Sequence, residues 1–248
     1  MSDIIVGRQP VLEALRSGRP VNKVLLARDV GRHSAIAEIL QLSRVKHIPV
    51  EYVPPEALAD AGGQSLNQGV LAYAAVKDYV GLDDLLEISR GLGEAPLYCI
   101  LDGIEDPQNL GAILRTACAA GVHGVVVRSR RAVGLTEGVS KASAGAVEYV
   151  PVARVANIAQ SIETLKAHNV WVTGIDPSGT VDFSRVDYTC PSAIVIGSEG
   201  AGISDLVKRR CDIRASIPMR GEINSLNASV AAALVMYEAL RQRTPRPA

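Results

Sequence analysis

The sequence predicts an α/β protein in which a small α/β unit precedes a larger domain built on a parallel sheet. From Leu97 onward, near-continuous apolar strands alternate with helices. This alternation is typical of a parallel sheet buried between helices on both faces. Between residues 77 and 95, Asp, Gly and Pro residues interrupt the hydrophobic pattern, as at a domain boundary. The 248 residues are enough for two domains that each have a core.

The small unit comprises residues 1–76, and its hydrophobic pattern predicts two helices and three strands. The helices are Val11–Leu15 and Ser34–Arg44, and the strands are Lys23–Leu26, Ile48–Val53 and Gly69–Ala74. Residues 77–95 are predicted to be a linker around a short helix, because Gly91, Gly93 and Pro96 mark its end.

The larger domain comprises residues 96–248 and alternates regularly between strands and helices. Its predicted strands are Leu97–Leu101, Gly124–Arg128, Val170–Ile175, Ala193–Ile196 and Ile213–Ile217. Its predicted helices are Leu110–Ala120, Val139–Gly145, Ile158–His168, Ile203–Arg210 and Leu226–Arg241. Sheets of this kind bind ligands at the carboxyl ends of their strands, so polar segments that follow the strands are the candidate site.

Composition narrows the classes of function. Hydrophobic residues make up 48% and charged residues 21%, which indicates a folded protein. Aromatic residues are only 4%, so base stacking is not expected to be the main mode of any nucleic-acid binding. The net charge is zero, yet residues 1–50 carry eight Lys or Arg against four acidic residues. Further basic clusters lie at Arg128–Arg131 and Lys208–Arg210, and such clusters are either solvated faces or phosphate contacts.

Other classes are disfavoured. The four cysteines form no CxxC pair and the four histidines are scattered, so no metal is expected. No apolar run reaches 18 residues and the N-terminus does not resemble a signal peptide. We therefore expect a cytoplasmic protein with reduced thiols, and no membrane partner.

Three polar segments follow strands and are the candidate site. In the first, Asn109 is expected to cap a helix that carries Arg115 six residues later. The second is Gly197–Gly202, in which three glycines allow close approach of a ligand to the backbone. The third is Ser225–Asn227, where a polar turn enters an apolar helix. Each segment alone is also explained by ordinary helix capping and turns.

Several familiar motifs are absent from these segments. The glycine loop has neither the GxGxxG spacing of dinucleotide-binding proteins nor the lysine of a P-loop. This absence weakens a nicotinamide dehydrogenase interpretation. Ser225 lacks a GxSxG context and a neighbouring histidine, so a serine hydrolase is disfavoured.

Taken together, the three segments resemble the motifs of the SpoU (TrmH-type) branch of the SPOUT RNA methyltransferases. The resemblance rests on Asn109 with Arg115, on the Gly-Ser-Glu-Gly loop, and on Ile-Pro-Met followed by Ser-Leu-Asn-x-Ser-x-Ala. The opening Gly-Arg-Gln-Pro-Val at residues 7–11 is similar to the small RNA-binding domain of RlmB-type enzymes, which methylate a guanosine ribose in 23S ribosomal RNA. One departure is Asn67, where relatives often carry histidine.

The resemblance implies an enzyme that transfers a methyl group from S-adenosyl-L-methionine (AdoMet) to a ribose 2′-hydroxyl of RNA. It implies a homodimer whose C-terminal chain forms a trefoil knot. The implied catalytic residues are Arg115, Asn109, Glu199, Ser225 and Asn227. The implied cofactor contacts are the backbone of Gly197, Ile217 and Leu226, and the implied RNA contacts are Arg8, Arg128, Arg130 and Arg131.

Two alternatives remain open at this point. One is a transfer-RNA ribose methyltransferase, which the front unit disfavours because simpler relatives lack it. The other is a non-catalytic RNA-binding factor of ribosome assembly with the same fold, which the intact set of implied catalytic residues disfavours.

Overall fold

The computed structural model describes residues 2–62, 68–130 and 132–244. The strands are β1 Ser2–Val6, β2 Val21–Ala27, β3 Val50–Val53, β4 Val70–Ala75, β5 Leu97–Asp102, β6 Gly124–Arg128, β7 Val152–Val155, β8 Trp171–Ile175, β9 Val181–Asp182, β10 Ser192–Gly197 and β11 Ile213–Ser216. The α-helices are α1 Arg8–Ser17, α2 Ser34–Val45, α3 Pro55–Gly62, α4 Leu82–Gly91, α5 Pro107–Ala119, α6 Glu137–Ala142, α7 Ile158–Ala167, α8 Asp205–Arg210 and α9 Ala228–Arg243.

The chain divides into two units, and the division is not a single cut. The first unit contains Met1–Asp78 and Gly134–Tyr149, and the second contains Tyr79–Val133 and Val150–Ala248. The segment 134–149 includes α6, which the sequence pattern assigned to the larger domain. Most of the predicted linker 77–95 belongs to the second unit, since Leu85 and Leu86 of α4 are buried in that unit's core.

The first unit has a four-stranded sheet in the order β1-β4-β2-β3. β4 is antiparallel to β1 and β2, whereas β2 and β3 are parallel. Its main core combines buried aliphatic residues of α1 and α2 with one face of the sheet. A buried ion pair joins Arg19 to Glu148 at 2.7 Å, and Arg19 also contacts Asp3 at 2.5 Å. The Arg19–Glu148 pair attaches the segment 134–149 to the first unit.

The second unit has seven strands in the order β7-β6-β5-β10-β8-β11-β9, and every pairing is parallel. Tyr98 and Ile100 of β5 pack in one core with α4, α7 and α8. Because successive strand residues point to opposite faces, Cys99 and Leu101 face the other side. On that side α9 contacts α5 and β10. The fold is therefore the predicted α/β class, with a parallel sheet between two layers of helices.

All eight predicted strands are present, most with ends shifted by a residue or two. The predicted strand 48–53 begins only at Val50 in the structure. The pattern missed β1, β7, β9 and α3, because these elements are short or lie beside turns. Within the described residues, no helix is long and apolar enough to cross a membrane. In the same residues, no group of three or more Cys, His, Asp or Glu side chains could hold a metal ion.

Candidate active site

The candidate site lies where three parallel strands end. β5 leads through residues 103–106 into α5, β10 leads into the glycine loop Gly197–Gly202, and β11 leads through residues 217–227 into α9. Because all three strands run in the same direction, their carboxyl ends share one edge of the sheet. The fold thus brings together the three polar segments that the sequence singled out.

Asn109, Glu199 and Asn227 form a hydrogen-bonded group that we call the Asn–Glu–Asn cluster. The Asn109 amide donates to Glu199 Oε1 at 3.0 Å. The Asn227 amide donates to Asn109 Oδ1 at 2.9 Å and also to Glu199 Oε1. Bonds of this kind to an ionised carboxylate are stronger than those between neutral groups. The cluster therefore ties α5, the glycine loop and the start of α9 together across 118 positions of sequence.

Asn227 has a second role as the N-cap of α9. Its Oδ1 accepts from the backbone N–H groups of Ser229 and Val230 at 2.9 and 3.3 Å, while its amide nitrogen serves the cluster. The N-cap of α5 is Asp106, whose Oδ1 accepts from Gln108 N at 3.0 Å. The prediction that Asn109 caps this helix is wrong, because Pro107 already occupies the first helical position. Asn109 is instead a buried first-turn residue whose side chain is free to enter the cluster.

The glycine loop folds back tightly on itself. Ser198 N donates to Gly202 O at 3.1 Å, and Gly202 N donates to Ser198 O at 2.9 Å. A Cβ at Gly197 would lie 2.1 Å from the carbonyl carbon of Gly202, so only glycine fits there. The loop is anchored by buried Asp102, whose Oδ2 accepts from Ser204 N at 2.8 Å and Ser204 Oγ at 2.6 Å. This anchoring places Glu199 opposite Asn109.

The third segment supplies unused backbone groups. Among the described residues, no hydrogen bond involves a backbone N–H or C=O of residues 217–226. Ile217 and Leu226 are half-buried at its two ends. Most residues between these two ends are exposed, so the backbone groups of the segment are open to water or to a ligand. The implied cofactor contacts Gly197, Ile217 and Leu226 lie on two of the three segments that meet at this edge of the sheet.

Arg115 and Ser225 lie outside the cluster. Both side chains are exposed, and neither makes a hydrogen bond or ion pair with any described residue. Arg115 is six positions along the helix from Asn109, which rotates it about 120° away from the cluster on the helix surface. The structure thus unites three of the five implied catalytic residues and leaves Arg115 and Ser225 open to solvent.

The implied RNA contacts differ in their surroundings. Arg128 is the last residue of β6, and its Nη1 lies 3.8 Å from Asp102 Oδ1. Arg130 is exposed. Arg131 and Asn67 lie outside the described residues. In the first unit, Arg8 Nε donates to the Gln68 carbonyl at 2.9 Å, and Arg8 N donates to Gln68 Oε1. Arg8 therefore holds the turn before β4.

Sequence reasoning gave no role to the acidic residues that support the site. Asp102 follows β5 and anchors the glycine loop, as described above. Asp176 follows β8 and forms an ion pair with Lys208 at 2.7 Å. Burial raises the pKa of Asp176, but the hydrogen bonds from Lys208 and Ser178 outweigh it, so the pKa lies below its usual range. The sequence feature that could have indicated Asp102 and Asp176 is an acidic residue at or directly after the end of a buried strand.

Comparison with known proteins identifies the family. Residues 96–237 match the SpoU rRNA Methylase family. The chain belongs to that family. Residues 4–80 match the substrate-binding domain of RNA 2′-O ribose methyltransferases. YacO of Bacillus subtilis, assigned to the TrmH family of tRNA/rRNA methyltransferases, is 45% identical over 243 residues, covering 98% of this chain and 97% of YacO.

Solved structures of SpoU-family methyltransferases share the fold. The AdoMet complex of AviRb from Streptomyces viridochromogenes has a TM-score of 0.80 and 29% identity, covering 98% of this chain and 90% of AviRb. The AdoMet-bound rRNA methyltransferase of Sinorhizobium meliloti has a TM-score of 0.81 and 25% identity, and the alignment covers 98% of this chain and 88% of the S. meliloti chain. A TrmH/SpoU tRNA-modifying enzyme of A. aeolicus has a TM-score of 0.55 and 31% identity, and the alignment covers 65% of this chain and 84% of the A. aeolicus chain.

Membership of this SpoU family establishes the class of reaction. The chain is an AdoMet-dependent RNA (ribose-2′-O-)methyltransferase. The resemblance in the sequence and its α/β fold class are confirmed, as is the cofactor. The free backbone of residues 217–226 and the glycine loop are consistent with that cofactor.

Proposed function

We propose that the substrate of this SpoU-family enzyme is 23S ribosomal RNA and that the acceptor is the ribose 2′-hydroxyl of a guanosine. The observation that carries the proposal is the presence of a complete front unit. The rRNA methyltransferase of S. meliloti aligns with 98% of the chain, whereas the tRNA-modifying enzyme of A. aeolicus aligns with 65%. A transfer RNA is the second candidate, because YacO is named for both tRNA and rRNA.

Arg115 is the residue we assign to the acceptor hydroxyl. AdoMet supplies an electrophilic methyl group, and the ribose oxygen must lose its proton as it attacks. Arginine remains protonated in proteins, so its role here is to stabilise the developing negative charge on the oxygen rather than to act as a base. Because Arg115 is exposed and makes no ion pair among the described residues, its guanidinium is available to an RNA backbone.

The Asn–Glu–Asn cluster positions the segments that surround the reacting groups. It fixes α5, which carries Arg115, against the glycine loop and the start of α9. Positioning of two reactants accounts for much of the rate gain in such transfers. Ser225 lies two residues before Asn227 and is exposed, so we assign it to RNA or cofactor contact. Arg8, Arg128, Arg130 and Arg131 are assigned to phosphates, which set register rather than sequence.

We further propose a cytoplasmic homodimer with a knotted C-terminal chain. Val230, Leu234 and Tyr237 are 47%, 42% and 51% exposed, and their spacing places them on one face of α9. Three large apolar residues on one exposed helix face favour a protein partner, and a second copy of the chain supplies the same face. The four cysteines are free thiols, in keeping with a reducing compartment.

The test is methyl transfer from labelled AdoMet to unmodified 23S rRNA and to unmodified tRNA, with the modified ribose located by resistance to alkaline hydrolysis. We expect one new 2′-O-methyl guanosine in 23S rRNA and none in tRNA. Methylation of tRNA alone would replace the ribosomal proposal by the second candidate. Arg115→Ala serves as the control for activity of contaminating enzymes, since we expect it to retain the fold but not the transfer.

A further inference from the structure

A groove in the first unit lies outside the SpoU-family active site. It has a volume of about 580 Å³ and is bounded by the 28–34 segment, the first turns of α2 and Tyr52 on β3. β3 is one of the two edge strands of the four-stranded sheet, so among the described residues no strand pairs with its outer edge. The floor of the groove is apolar, formed by Val30, Ile36 and Leu40.

The rim of the groove carries unneutralised positive charge. Arg28 and Arg32 line it, and both are exposed. Neither arginine makes an ion pair or side-chain hydrogen bond with a described residue. Arg16 pairs with Glu38 and Lys23 pairs with Glu51. Of the Lys and Arg residues in 1–50, Arg28, Arg32 and Arg44 make no side-chain hydrogen bond or ion pair with a described residue, and two of these three line the groove.

Tyr52 gives the groove an aromatic wall. Tyr52 is 51% exposed, whereas tyrosine residues are usually more buried than this. Aromatic residues are scarce in this chain, at 4%, so an exposed ring beside two unpaired arginines is a specific arrangement. A ring of this kind stacks on a nucleobase, and arginine guanidinium groups hold the phosphates on either side of it.

We propose that this groove binds an unpaired nucleotide of the RNA substrate, with its base stacked on Tyr52 and its flanking phosphates held by Arg28 and Arg32. The inference rests on the proposed function, since it assumes an RNA substrate, and it assigns a recognition site within the first unit. An unpaired base is required because a base inside a duplex cannot present its face to the ring. The groove recognises a single-stranded loop or bulge rather than a helix.

The test measures RNA binding by the full-length chain. Binding is monitored by the fluorescence anisotropy of a labelled RNA single strand of roughly ten mixed nucleotides. Arg28→Ala and Arg32→Ala should each weaken binding. Each should also reduce the slope of log affinity against log salt concentration by about 1, as expected for the loss of one phosphate contact. Tyr52→Leu should weaken binding by about fivefold or more, whereas Tyr52→Phe should bind like the wild type because the ring is kept.

The matched control is Arg44→Ala. Arg44 is an exposed arginine of the same unit, without a described partner, and it does not line the groove. It should bind RNA like the wild type. AdoMet binding by calorimetry should be unchanged in every variant, which verifies that the second unit is folded, and an unchanged circular dichroism spectrum and melting temperature verify the first unit. A blunt duplex of the same length should bind more weakly and should not respond to Tyr52→Leu.

Several results would overturn the inference. One is that Arg28→Ala and Arg32→Ala behave like Arg44→Ala, and another is that Tyr52→Leu retains full affinity. Equal binding of the duplex, or no binding of RNA by the wild type, would also overturn it. The two proposals fail separately. Normal methylation of ribosomal RNA by the groove variants rejects the groove alone, whereas loss of RNA binding in those variants without any transfer by the wild type rejects the proposed function alone.

Discussion

Replacing Asn227 by aspartate separates the two roles of this residue. Aspartate is as good an N-cap as asparagine, so the bonds from Ser229 N and Val230 N to Oδ1 should survive. The amide that donates to Asn109 and Glu199 is lost, and a second carboxylate is placed against Glu199. Asn227→Asp should therefore disrupt the Asn–Glu–Asn cluster while α9 remains capped.

The expected cost follows from the contacts. Two hydrogen bonds are lost, at about 1 kcal/mol each. Two carboxylates that move apart to about 4 Å still repel by about 1 kcal/mol in bulk water and about 4 kcal/mol near a protein surface. Because Glu199 is exposed, we take the lower value, for a total of about 3 kcal/mol against the native arrangement of the cluster. If that arrangement is needed for transfer, kcat/KM falls by about a hundredfold.

The assay is methyl transfer to RNA under kcat/KM conditions, with AdoMet affinity and thermal unfolding measured on the same samples. Asn227→Ser is the matched control, because serine also caps helices and removes the amide without adding charge. It should lose less activity than Asn227→Asp. Adding Glu199→Gln to Asn227→Asp should recover part of the loss, since the new amide can donate to the new carboxylate. Full activity of Asn227→Asp, or no recovery in the double variant, would refute the reasoning.

Three other outcomes are expected. Arg115→Ala should abolish methyl transfer while AdoMet binding by calorimetry is retained, and loss of cofactor binding would contradict the role assigned to Arg115. Leu234→Glu should convert a dimer to a monomer in analytical ultracentrifugation, whereas a dimer that persists would place the interface elsewhere. Asp176→Asn should lower the melting temperature at pH 7, because the pKa of Asp176 is depressed and its ion pair with Lys208 stabilises the fold at neutral pH. That difference should begin to shrink as the pH falls below about 4, the ordinary pKa of an unfolded aspartate, and should vanish only below the depressed pKa of the folded carboxyl group. A difference that does not shrink at all as the pH is lowered from 7 would contradict this.

The Asn–Glu–Asn cluster could be located from sequence because its residues lie in segments that follow buried strands. The alternation from Leu97 onward predicts parallel strands, and such strands bring their carboxyl ends to one edge. Glu199 follows its strand by two residues, Asn109 by seven and Asn227 by eleven. Their mutual hydrogen bonds confirm that the three segments form one site. The family resemblance then supplied the reaction, which spacing alone could not give.

Other features depend on contacts that a local pattern does not contain. Asp106 rather than Asn109 caps α5, and both residues are suitable caps, so only the position of the backbone decides between them. The edge strands β7 and β9 are four and two residues long, too short for a periodic signal. Segment 134–149 belongs to the first unit because of partners such as Arg19, more than a hundred residues away in sequence.

Because segment 134–149 belongs to the first unit, a single truncation cannot remove that unit from this SpoU-family enzyme. The chain passes between the units at residues 78–79, 133–134 and 149–150, so neither a single stop codon nor a single protease cut separates them. A fragment that begins at residue 79 would keep Glu148 but lose Arg19. Removal of residues 1–78 alone should therefore destabilise the chain that remains, because segment 134–149 loses the partners that it has in the first unit.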